Sequence, residues 1–149
     1  MIVLHSWVRW ILLGLGLATL VLSARGWRHG GPWTRVHERL TGALGGGARV
    51  QVGAGLVLLL WASPVATLAW KLGLRASFHA PVLAWFGFVH PVMMIISVGV
   101  LESGLARARR VDSPQAKHRA VTLAICAWLA LVLVAIPWPG LPWGRSLVP

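Results

Sequence analysis

The sequence predicts an all-α integral membrane protein, a single domain of four transmembrane helices bundled together with both termini outside. Three observations lead there. Of 149 residues, 57% are hydrophobic and 11% charged, against roughly a quarter charged in a soluble domain, so there is too little polar surface to cover a water-soluble globule. Four apolar stretches of about twenty residues each use most of the chain, and each is long enough to cross a hydrocarbon core of ~30 Å. The basic residues are also unevenly placed. Ten of the 14 Lys and Arg lie in or near the two connections after the first and third stretches, counting Arg49, and four lie toward the other side. The positive-inside rule puts those two connections in the cytoplasm, and the chain in the cell inner (plasma) membrane as a multi-pass protein. The same placement explains the formal charge of +11 as topology, so no nucleic-acid partner is expected.

The first span covers about 2–24, with Trp7 and Trp10 as interfacial anchors and His5, Ser6 and Arg9 as its polar residues. It lacks a basic leader, and Leu22-Ser23-Ala24 is a poor cleavage site, so it is read as a retained span and not a signal peptide. A polar turn around Gly30-Gly31-Pro32 leads back to the membrane. The second span, about 40–62, is rich in glycine, which lets neighbouring helices approach closely in lipid and predicts a buried helix. Ser63-Pro64 stops or kinks it, and a connection carrying Lys71 and Arg75 follows to Phe78. In the third span, about 80–103, Pro91 should kink the helix and free a backbone carbonyl. The fourth, about 116–136, starts after Asp112-Ser113-Pro114 and ends at Pro137-Trp138-Pro139-Gly140. Cys126, the only cysteine, lies inside it, so neither an intrachain disulfide nor a cysteine metal site is available.

Ionisable residues inside a span are costly and mark functional candidates. Here they are His5, Arg9, Arg49 and His90, with His118 near the inner edge. No Ser-His-Asp set, phosphate loop or acidic pair accompanies them; three acidic residues in all argue against carboxylate acid/base chemistry. His5 and Arg9 are one turn apart on one helix face. Haem b would use both, its iron accepting imidazole and its propionates an arginine. The alternative is an interfacial histidine beside an arginine that snorkels to headgroups. His90 lies deep in its span, where a polar group needs a ligand or a hydrogen bond; a carbonyl freed by a neighbouring kink would also satisfy it. Met93 and Met94 are alternative soft ligands or simple packing. Arg49 is expected to face the bundle interior, partnered by a carbonyl or by an acid that a cofactor brings; Glu102 is the protein acid nearest in depth. Gln51 points away from it. His118, between Lys117 and Arg119, belongs to the basic inner rim, with metal ligation as its alternative role.

The pattern His5-Ser6-x-x-Arg9-Trp10, Gln51 with Gly55-Leu56, His90-Pro91-x-Met93-Met94, Lys117-His118-Arg119 and Ile136-Pro137-Trp138-Pro139 resembles a family of small bacterial four-helix membrane proteins often labelled cytochrome b-like. The resemblance spans nearly the whole chain and implies that His5, His90 and His118 are the shared histidines. Where the family pattern has a histidine two residues before the glutamine, this chain has Arg49, which leaves His5 with His90 as the intact pair in the outer half.

The expected function is therefore a haem b-binding membrane electron-transfer subunit, with His5 and His90 as axial ligands to the iron, Arg9 as propionate partner and Arg49 as a further cofactor contact. By helical rise His90 is ~9 Å or more deeper than His5, so helix tilt must bring the two level. The alternative is a cofactor-free accessory subunit of a larger respiratory or photosynthetic membrane complex. Either way the partners are the lipid bilayer and other membrane subunits, and a subunit is expected rather than a stand-alone enzyme. A transporter would show inverted repeats or paired broken helices, and neither is visible.

Overall fold

A computed structural model describes residues 2–146, all helical or irregular. The elements are α1 (Ile2–His29), α2 (Arg35–Val57) continuing as a π-helical turn Leu58–Ala62, α3 (Pro64–Ser77), α4 (Pro81–Ala84) continuing through a π-helical turn Trp85–Val89 into α5 (His90–Arg110), and α6 (Pro114–Ala135). Four of these runs are long and apolar enough to cross a membrane: 3–29, 35–62, 81–110 and 114–135. Local chemistry sets their ends. Gly30, at φ +68°, takes the left-handed conformation that closes α1, and the Gly31 N–H donates to the Gly26 carbonyl at 3.1 Å. Ser113 Oγ accepts the Ala116 N–H at 3.1 Å ahead of Pro114, which starts α6 where its missing N–H is harmless.

The helices outrun the expected spans at the basic end. Residues 25–29 and 35–39, expected as a polar loop, continue α1 and α2, so the connection is only residues 30–34. Hydropathy marks where lipid ends, not where backbone hydrogen bonding ends, and a helix can run on into water. At the opposite end the connection after Ser63 contains a further helix, α3, where no element was expected. It is broken at Gly73 (φ +81°), and Ser77 Oγ donates to the Ala69 and Gly73 carbonyls, both at 2.8 Å, across that break.

Pro91 is accommodated by widening the helix. It sits at the start of α5, just after the π-helical turn Trp85–Val89. The Gly87 carbonyl, four residues before the proline and so deprived of an N–H partner, accepts Trp70 Nε1–H from α3 at 3.2 Å.

The core runs along α6, whose Val121, Ile125, Trp128 and Val132 pack against Leu12 of α1, Leu44 of α2 and Leu101 and Leu105 of α5. Close approach depends on glycine. A Cβ on Gly104 of α5 would lie 2.1 Å from Ala124 Cβ, and one on Gly16 of α1 would lie 2.5 Å from the Trp128 ring. The second span is not the buried helix its glycines suggested. Only Leu44, Gly45 and Ala48 of α2 are buried, whereas α6 is the enclosed helix. Glycine permits close approach but does not say which face finds a neighbour, and Gly42 and Gly53 have no atom near.

Candidate functional site

At the end of the bundle that carries both termini, α1, α2, α5 and α6 enclose a cavity of about 520 Å³, within the range of small-molecule and cofactor sites. It is lined largely by apolar side chains such as Leu12, Val52, Leu59, Val98 and Trp128, and its polar groups include His5, Ser6, Arg9, Gln51, His90 and Arg145. No Asp or Glu side chain lines it.

The two histidines arrive from opposite sides. His5 sits in the first turns of α1, where Gly55 of α2 makes room for its ring; a Cβ there would stand 3.2 Å from His5 Cε1. Gln51 Nε2–H donates to the His5 carbonyl at 2.7 Å, tying α1 to α2 at this level. His5 Nδ1 is buried without a hydrogen-bond partner. His90 enters from the start of α5, and its Nδ1 lies 2.9 Å from the Ala135 carbonyl. That carbonyl is in the last turn of α6, and four residues on stands Pro139, which has no N–H to give it. The bond makes Nδ1 the protonated nitrogen and leaves Nε2 with its lone pair. This satisfies half of His90 through a carbonyl freed at a helix end, whereas the alternative reading named one freed by a kink, and it is also how a ligating histidine is held in orientation. His5, Arg9 and His90 all line the same cavity.

Arg145 is the residue sequence reasoning missed. After α6, Pro137 and Pro139 turn the chain back over the bundle. The Arg145 N–H donates to the Pro137 carbonyl at 3.1 Å, and Trp143 stacks on Trp85 with ring centroids 4.5 Å apart. The Arg145 guanidinium then lies 4.0 Å from the centroid of the Phe86 ring, facing the same cavity as Arg9. The Pro-Trp segment signalled rigidity, but spacing alone could not tell in which direction it folds.

The other candidates lie elsewhere. Arg49 does not line the cavity and does not face the bundle interior. Its side chain is 60% exposed on the bundle's outer surface and forms an ion pair with Glu102 of α5. The outward stripe of α2 carries it, because Leu44, Gly45 and Ala48 occupy the inward one. His118 is fully buried at the basic end, its Nε2 3.2 Å from the Gly31 carbonyl and its ring against Trp33 and His37. Gly26 accommodates that ring at a distance no side chain would allow. Among the described residues no three His, Cys, Asp or Glu side chains gather as a metal-binding set. Comparison of the chain with family models, with curated proteins and with solved structures finds no match.

Proposed function

We propose that the cavity binds haem b between His5 and His90 and that the protein is a membrane electron-transfer subunit. One observation carries the reading: two histidines from α1 and α5, distant in sequence, line one largely apolar cavity of about 520 Å³. A site with two imidazoles suits a metal that brings its own equatorial ligands. The residues present fit that group. His5 Nδ1 is an orphaned buried nitrogen, and His90 keeps Nε2 available because Nδ1 is engaged by Ala135. Bound haem supplies a one-electron iron couple. The chain's residues then have separate tasks. His5 and His90 hold the iron, while Arg9 and Arg145 offer charge-assisted hydrogen bonds to the propionates. Leu12, Val52 and Val98 exclude water, which tunes the potential. The basic end, with Arg107, Arg109 and Arg110, faces the cytoplasm of a bacterial host, both termini face outward, and the haem lies toward the outer leaflet. The electrons come from and go to other membrane subunits.

The test is a reduced-minus-oxidised visible spectrum of the purified, folded protein. A b-type band is expected. Its absence from cleanly folded protein replaces this reading with the cofactor-free accessory subunit.

A further inference from the structure

The Arg49–Glu102 ion pair sits where a membrane protein has no reason to show charge. Glu102 is five residues from Arg107 and Arg49 is ten from Arg39, so by helical rise they lie about 8 and about 15 Å inside the basic rim, within the hydrocarbon. The arginine side chain is nevertheless 60% exposed and the glutamate 27%. Charge facing lipid at that depth is costly even when paired, and such residues otherwise face a protein neighbour. A second feature surrounds the pair. Gly42, Gly46, Arg49 and Gly53 fall on one stripe of α2, spaced four, three and four residues apart. Added Cβ atoms on Gly42, Gly53 and, in α5, Gly99 would meet nothing within 4 Å, and one on Gly46 would meet only the Arg49 guanidinium at 4.0 Å. In lipid, small residues mark places where another helix comes close.

We infer that this face is a homodimer interface, with the ion pair of each copy completed by the other. The occupant follows from charge complementarity. Each copy displays one positive and one negative group side by side, since the ion pair brings the guanidinium and the carboxylate together, so a two-fold axis along the membrane normal sets Arg49 of either copy against Glu102 of the other and the reverse. Four charges become a closed, neutral, mutually hydrogen-bonded set shielded from lipid, and the glycine stripes let the backbones come near enough to form it. The inference rests on the membrane-spanning reading and is independent of haem.

The experiment measures Förster transfer between donor- and acceptor-labelled copies in phosphatidylcholine vesicles as protein is diluted with lipid. Wild type is expected to show transfer above the random-encounter level. Arg49→Glu alone and Glu102→Arg alone place like charges against each other, and each is expected to weaken self-association about tenfold or more. A mixture of the two variants restores both cross-pairs and is expected to recover the transfer, which a purely intramolecular pair would not do. Gly46→Leu adds its side chain where a Cβ meets only the Arg49 guanidinium at 4.0 Å and is expected to weaken the dimer alone, so the inference stays testable should a charge variant fail to insert. It is overturned by wild-type transfer at the random level, by a mixture no better than either variant, or by transfer that Gly46→Leu leaves unchanged.

Discussion

At the scale of single residues, the division of labour between the nitrogens of His90 decides what its loss should do. Nδ1 is occupied by the Ala135 carbonyl at 2.9 Å, so replacing the side chain by alanine removes Nε2 from the cavity and orphans one carbonyl at a helix end. Insertion depends on the summed hydrophobicity of the spans and survives. His90→Ala is expected to abolish the b-type band in protein that still inserts. His118→Ala is expected to keep the band, because that ring is buried at the opposite end among Gly26, Trp33 and His37. Loss of the band with His118 and retention without His90 would move the site to the wrong end of the bundle. Arg145 gives a graded test. Its guanidinium faces the cavity beside Phe86, and a hydrogen bond to a charged group contributes about 1.5–3 kcal/mol. Arg145→Ala should therefore speed haem loss to a scavenging protein by roughly tenfold or more while leaving the band position nearly unchanged. His90 was legible in the sequence because depth makes an unexplained histidine conspicuous. Arg145 was not, since its position depends on how two prolines turn the chain.

At the scale of helices, α5 and α6 meet so closely that one glycine controls their packing. A methyl group at Gly104 would stand 2.1 Å from Ala124 Cβ and 3.3 Å from the Ala120 carbonyl, with rigid helix backbone behind both. Overpacking of this kind costs typically 1–3 kcal/mol, and Gly104→Ala should lower the midpoint of thermal unfolding in detergent. Gly14→Ala serves as the control. Nothing lies within 4 Å of that position, so the change should be neutral or slightly stabilising through helix propensity, by up to about 1 kcal/mol. Equal responses of the two variants would contradict the packing described. The four spans could be read from the sequence because each requires only a long apolar run. The short helix α3 could not, because its fourteen residues Pro64–Ser77 are bounded by proline and interrupted by Gly73, which in sequence look like the punctuation of a loop. The π-helical turns were equally hidden. They arise where Pro91 and Pro64 disturb the backbone ladder, and tertiary partners such as Trp70 decide which carbonyl is rescued.

At the scale of the whole molecule, the bundle has two chemically different ends, and the proposed orientation rests on that charge asymmetry. The connections at residues 30–34 and 111–113 are flanked by Arg25, Arg28, Arg35, Arg39, Arg107, Arg109, Arg110, Lys117 and Arg119. The end with the cavity carries Arg9, Lys71, Arg75 and Arg145. Moving the basic end across a membrane would oppose both the translocation bias against Lys and Arg and the potential, worth about 2.3 kcal/mol per charge per 100 mV. The orientation can be tested after replacing Cys126, which lies exposed on α6, by serine. A cysteine introduced at Gly31, in the turn between α1 and α2, should react with a membrane-impermeant maleimide only once the cells are opened. A cysteine at His79, in the turn between α3 and α4, should react in intact cells. The reverse pattern would invert the bundle and carry the His5–His90 cavity to the cytoplasmic leaflet. The proposed electron exchange would then take place with partners on the opposite side of the membrane.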